Sequence, residues 1–141
     1  MIGKYRRRFL DERFKDLDIT HAEAPYLMRI SCAEQIKMND LISELPFHKS
    51  HTTRAITKLV DDGLITKEIN PDDKRAYVLS VTEKGKATGQ KIKQIFRDWD
   101  NLIDQSITDE EKEVMQKVTM KIYHFLRDYY HEEDTINETH V

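Results

Sequence analysis

The sequence predicts a mainly α-helical fold that carries one small β-hairpin, and three observations predict it. The chain has only four Gly and three Pro among 141 residues, and 35% of its side chains are charged. That composition suits long solvated helices better than turn-rich sheets. Apolar residues recur at three- and four-residue spacing through most of the chain. Between Gly63 and Thr82 this period gives way to two short runs rich in β-branched and aromatic residues, on either side of a polar tip.

Taken in order, Tyr5, Phe9, Phe14 and Leu17 outline an amphipathic helix over residues 4–16. Thr20 and Glu23 form a capping-box pair that opens a second helix, whose buried face is Tyr26, Leu27 and Ile30. Pro25 sits deeper than the favoured first-turn position, which leaves that start open by a residue or two. Leu41, Ile42 and Leu45 mark a short third helix that stops at Pro46, where the hydrogen-bond ladder cannot continue. A fourth helix begins near His48 and runs into Gly63. Two helices separated by so short a turn cross steeply, which is helix-turn-helix geometry.

Residues 64–69 and 76–81 then pair around Asn70-Pro71-Asp72-Asp73-Lys74-Arg75, a hairpin tip by its turn chemistry. From Thr82 to about Ser106 the helical period returns through Ala87, Ile92, Ile95, Phe96, Trp99, Leu102 and Ile103. Thr108 and Glu111 form another capping box. The helix it opens is expected to carry Val114, Val118, Ile122, Phe125, Leu126 and Tyr129 inward. The acidic, polar stretch from His131 onward is expected to fray.

A helix-turn-helix followed by a hairpin is the layout of a winged helix-turn-helix, a fold that presents a helix and a wing to DNA. The gross charge does not advertise that use, since the net charge is −3 and the isoelectric point about 6.1. The charge is unevenly placed, however. Residues 1–15 carry six positive side chains against Asp11 and Glu12, and residues 108–141 carry four against nine acids. No apolar run has the length of a signal peptide or a membrane span, so a cytoplasmic protein is expected. Cys32 is the single cysteine, which excludes an internal disulfide.

At 100° per residue the fourth helix separates into two faces. Thr52, Ala55, Ile56 and Leu59 fall together as its core side. Ser50, Thr53, Arg54, Thr57 and Lys58 fall opposite, with Lys49 and His51 at the edges. Short hydroxyls allow close approach to a major groove, and Arg can bridge guanine O6 and N7. From Lys49 to Val60 there are three Lys or Arg and no acid. A merely solvated face is the plainer reading, and the adjoining hairpin argues against it. At the tip, Lys74 and Arg75 are placed to meet the minor groove or phosphates. Asp73 is expected to support them, holding Arg75 or a nearby backbone group by a charge-assisted hydrogen bond; the plainer alternative for Arg75 is structural pairing alone.

These residues resemble the MarR family of bacterial transcriptional regulators. The resemblance runs from Leu17-Asp18-Ile19-Thr20 through residues 39–45 and 50–54. It is strongest at Leu59-Val60-Asp61-Asp62-Gly63-Leu64-Ile65, Asp72-Asp73-Lys74-Arg75 and Val81-Thr82-Glu83-Lys84-Gly85. It implies one domain over residues 1–141, with a winged-helix lobe over about 33–82 and dimerisation helices over about 1–18 and 86–141. It also implies a homodimer on a pseudo-palindromic double-stranded DNA site, acting as a ligand-responsive repressor, with the apolar stripes of the first, fifth and sixth helices as candidates for dimer burial rather than for a monomer core. The chain departs from the family pattern at Pro46 and at His48, where the family often has Gly and Asp. His48 is a poor helix cap, which puts the bases read at the helix head in doubt.

Family members respond to small aromatic compounds, metals or oxidants. Tyr5, Phe9, Tyr26 and Trp99 are candidates for lining an aromatic effector pocket, with core packing as the default explanation. Cys32 is expected to be a small packed hydrophobe rather than a redox sensor. The six histidines are scattered: His48 and His51 share an i, i+3 spacing on the DNA side, and His124 and His131 share a face two turns apart. No third ligand accompanies either pair, so neither a metal nor a cofactor is expected. No phosphate loop, Cys-x-x-Cys or nucleophile elbow is present, so no enzyme is expected. The rival readings are a winged helix used only to bind protein, favoured by the acidic balance, and a metal or redox sensor on the same fold.

Overall fold

The computed structural model describes residues 2–131. Its elements are α1 (Ile2–Phe14) with a 3-10 turn (Lys15–Leu17), α2 (Ala24–Ala33), β1 (Gln35–Lys37), α3 (Met38–Glu44), α4 (Lys49–Asp61), β2 (Ile65–Ile69), β3 (Tyr77–Val81), α5 (Glu83–Asp104) and α6 (Asp109–Tyr130). The chain forms two compact units, residues 1–99 and 100–141, divided within α5. No helix among the described residues is long and apolar enough to cross a membrane.

The first unit is built on one apolar core. Leu10 and Phe14 of α1, Tyr26, Leu27 and Ile30 of α2, Leu41 of α3, Ala55, Ile56 and Leu59 of α4, Leu79 of β3 and Ile92 of α5 are all buried in it. The sheet has three antiparallel strands in the order β1-β3-β2, with Ile36 opposite Leu79 and Ile65 opposite Val81. The hairpin is therefore as expected, but β1 is an addition. At three residues, with one side chain buried between two exposed ones, it is too short for alternation to declare it.

Several ends follow from local chemistry. The Glu23 carboxylate accepts from the Thr20 N–H at 2.8 Å, and the Thr20 hydroxyl accepts from Ala22 N at 3.1 Å. This cap closes a turn ahead of α2, which begins at Ala24. Pro25 thus lies in the first turn after all, where its missing N–H costs nothing. Leu45 is extended at φ −103° and ψ 134°, the conformation a following proline imposes, and this ends α3. The close of α4 is a Schellman motif: Gly63 at φ 71° donates to Val60 O and Leu64 N–H donates to Leu59 O, both at 2.9 Å. Thr82 ties the same corner to α5, donating to Gly63 O at 2.7 Å and accepting from Gly85 N at 3.0 Å. A Cβ on Gly85 would collide with the Leu64 carbonyl and come within 2.8 Å of Val81 Cγ2. The Gly-Leu-Ile and Thr-x-x-Gly sequences are thus two halves of one clasp.

In the second unit, α6 opens on a complete capping box. Thr108 accepts from Glu111 N at 3.2 Å, and the Glu111 carboxylate accepts from Thr108 N at 2.9 Å. The Lys112 ammonium pairs with Asp104 across the α5–α6 turn. The expected inward stripe is not inward. Val114, Val118, Ile122, Phe125, Leu126 and Tyr129 are all exposed, Phe125 by 66%, and α6 has no buried residue. The amphipathic period is real, but the described residues of this unit supply no surface to cover it. The acidic stretch beyond His131, including His140, lies outside the described residues.

Candidate nucleic-acid interface

The outward face of α4 is laid out by the inward one. Thr52, Ala55, Ile56 and Leu59 are all at most 3% exposed, which fixes the rotation of the helix about its axis. Lys49, Ser50, His51, Thr53, Arg54 and Thr57 are consequently exposed. Thr53 donates to Lys49 O at 3.0 Å and Thr57 to Thr53 O at 2.9 Å, so both hydroxyls keep lone pairs outward and lie flat against the helix. His48 caps α4 through an extended backbone and offers no side-chain hydrogen bond, as its chemistry predicts.

The cations are not equivalent. Among the described residues no side-chain partner holds the Lys49, Arg54, Lys74 or Arg75 head groups. Lys58 differs, because its ammonium lies 2.8 Å from the Asp62 carboxylate. That hydrogen bond, against a small opposing desolvation, holds the ammonium above the usual lysine range. Thr53, Arg54, Thr57, Lys58, Asp61 and Asp62 line a shallow cleft of about 430 Å³ along this face. Its last turn is therefore acidic, and the free positive charge lies in the earlier turns.

At the wing tip, Asp73 Oδ1 accepts from the Arg75 backbone N–H at 3.0 Å, and Asn70 Oδ1 accepts from Asp72 N–H at 3.0 Å. Asn70 N also donates to Ala76 O at 2.9 Å. Asp73 thus shapes the loop through its backbone and leaves the Arg75 guanidinium unengaged. Behind the tip, the Lys67 ammonium sits 4.2 Å from the Tyr77 ring centroid.

The four aromatic residues proposed for an effector pocket divide. Phe9 meets Trp99 edge-on at 5.3 Å, Tyr5 is 63% exposed, and Tyr26 packs against Phe47 and His51 at 5.5 and 6.1 Å. A second cleft, of about 420 Å³, is lined by Arg6, Arg7, His21, Phe47 and His51 and by none of the four. Sequence reasoning passed over Phe47, whose place after Pro46 puts it under the head of α4. Cys32 is exposed at the end of α2, not packed, because the buried side of that helix is its Leu27 and Ile30 face. No group of three or more His, Cys, Asp or Glu side chains among the described residues is arranged to hold a metal.

Comparison with known proteins agrees with this geometry. The MarR family profile matches residues 19–77. The HTH-type transcriptional regulator BilQ of Clostridioides difficile (strain CD3) is 36% identical over 127 residues, spanning 90% of this chain and 83% of that one. A crystal structure of MarR superposes with a TM-score of 0.79 at 25% identity, covering 89% of this chain and 91% of that one. A mutant MarR from E. coli, solved in complex with operator DNA, gives a TM-score of 0.74 at 28% identity, covering 86% and 88%. With its winged helix, its clasped Gly-Leu-Ile corner and a relative this similar over most of its length, the chain belongs to the MarR family of transcriptional regulators.

Proposed function

We propose that this regulator binds a specific double-stranded DNA site as a homodimer, with α4 in the major groove and the wing tip on the neighbouring backbone or minor groove. One observation carries the reading: α4 and the wing each offer arginine and lysine heads that no side chain among the described residues engages, on supports that are tightly held. Guanidinium and ammonium groups without a competing partner suit base and phosphate contacts, because no ion pair has to be broken to make them. That an E. coli MarR with the same fold was solved on operator DNA supports it. The uncovered stripe of α6 supports the homodimer, since a row of exposed Val, Ile, Phe and Tyr is costly to leave in water.

The output is repression by occupying a promoter, relieved by a small aromatic effector. The cleft lined by Phe47, His21, His51, Arg6 and Arg7 has aromatic and cationic walls that suit an aromatic acid. The test is binding to the DNA upstream of its own gene over a salt series. A footprint with two-fold symmetry and a steep fall in affinity with salt are expected. Arg54→Ala should lose about 1–3 kcal/mol and relax one position of the site, whereas Arg75→Ala should weaken binding across sequences. The acidic net charge favours a second reading, a winged helix that binds only protein. A flat salt response with both variants unchanged would select it.

A further inference from the structure

His51 stands apart on the outward face of α4 because its imidazole is held from beneath. The Tyr26 hydroxyl, from α2, lies 3.2 Å from His51 Nδ1 and 3.1 Å from Thr52 Oγ1. Tyr26 and Thr52 are both fully buried. The Phe47 ring lies 5.5 Å from the Tyr26 ring and 5.6 Å from the imidazole, tilted only 31° from the latter. The imidazole therefore rests on an aromatic ledge while the residue itself stays exposed.

One order of protons along this chain satisfies all three of its side-chain contacts. Thr52 Oγ1 donates to His48 O at 3.4 Å, which uses its one proton. In that order the Tyr26 hydroxyl donates to Thr52 Oγ1, which uses Tyr26's proton. Its oxygen is left to accept, so His51 Nδ1 carries a hydrogen and donates to it. The reverse order would send the Thr52 proton to Tyr26 and the Tyr26 proton to His51 Nδ1, giving up the 3.4 Å contact to His48 O, an oxygen that already accepts from His51 N and Thr52 N. In the order that satisfies all three contacts, neutral His51 is held with Nδ1 protonated and Nε2 bare, and Nε2 lies on the far side of the ring from Tyr26.

We infer that Tyr26, with Thr52, is a positioning residue that sets the tautomer and orientation of His51, and that His51 reads an amino group in the major groove through Nε2. A bare ring nitrogen accepts from adenine N6 or cytosine N4 and has nothing to offer guanine O6 and N7. It adds an acceptor to the earlier turns of α4, whose charged heads, Lys49 and Arg54, only donate. The readout rests on the DNA-binding reading of α4; the tautomer does not.

Two measurements test it on the full chain. Nitrogen-15 NMR of the neutral imidazole should show Nδ1 protonated and Nε2 bare in the wild type, and a mixture of tautomers in Tyr26→Phe. A predominantly Nε2-protonated ring in the wild type overturns the assignment. Selection from a randomised DNA pool should give the wild type about a ten-fold preference for adenine or cytosine at one position of each half-site. Tyr26→Phe and His51→Ala should both lose that preference at the same position, while the rest of the site and the salt dependence hold. If the wild type enriches a sequence that both variants retain, DNA binding stands and this inference falls. If it enriches no sequence at all, the reading of α4 has failed and takes the His51 readout with it. His51→Ala, which leaves the Tyr26–Thr52 pair intact, guards against a folding defect in Tyr26→Phe.

Discussion

Helices α4 and α6 carry the same kind of signal and meet opposite fates. Both are amphipathic, yet the apolar side of α4 is buried in the core of its own unit and that of α6 is exposed along its length. Helical period states that a face is apolar; it does not state what covers that face. In the first unit α4 packs among α2, the sheet and the rest of the core. In the second, the last turn of α5 and the connection after it offer too little surface to enclose the apolar side of a 22-residue helix. The difference separates a face that stabilises the monomer from one available for association.

Truncating each stripe should expose this contrast. Leu59→Ala removes a fully buried side chain from the first unit and should cost about 2–5 kcal/mol of unfolding free energy. Urea denaturation should show that loss at any protein concentration. Phe125→Ala should act differently, weakening association by about ten-fold or more and leaving a monomer whose helix content is nearly unchanged. Sedimentation over a concentration series measures this; a wild-type chain that is already monomeric at high concentration would remove the basis for the contrast. The smallest effect is expected at the head of α6. Thr108→Ala breaks a capping box and should cost about 1 kcal/mol, confined to that helix, as hydrogen exchange of its first turn would report.

Much of the first unit was legible because its signals are local. Pro46, Gly63 and the Asn70-to-Arg75 tip are punctuation whose meaning comes from backbone geometry, and each falls where the chain turns. The core and solvent sides of α4 were legible for the same reason, since 100° per residue sorts them without any knowledge of neighbours. For Asp73 the sequence left two partners open, Arg75 itself or a nearby backbone group, and the structure shows the Arg75 backbone N–H. What escaped depends on partners distant in sequence. Strand β1 exists because β3 has a second edge to satisfy. The restraint of Lys58 by Asp62 lies within reach of sequence as an i, i+4 pair, yet a face assignment alone treats Lys58 as free. The separation of Tyr26 from Phe9 and Trp99 comes from packing, and aromatic composition contains no trace of it.

By itself, then, the sequence determined the order of the helices and the hairpin, the turns that join them, the outward residues of α4 and the place of the wing tip. All of these follow from short-range steric and hydrogen-bonding rules acting over a few residues. Only the tertiary structure decided that Tyr26 and Phe47 lie beneath His51, that Gly85 must be small because the Leu64 carbonyl approaches it, and that the stripe of α6 is left uncovered. Those outcomes depend on which surfaces meet, and burial is a property of the pair of surfaces rather than of either strip of sequence.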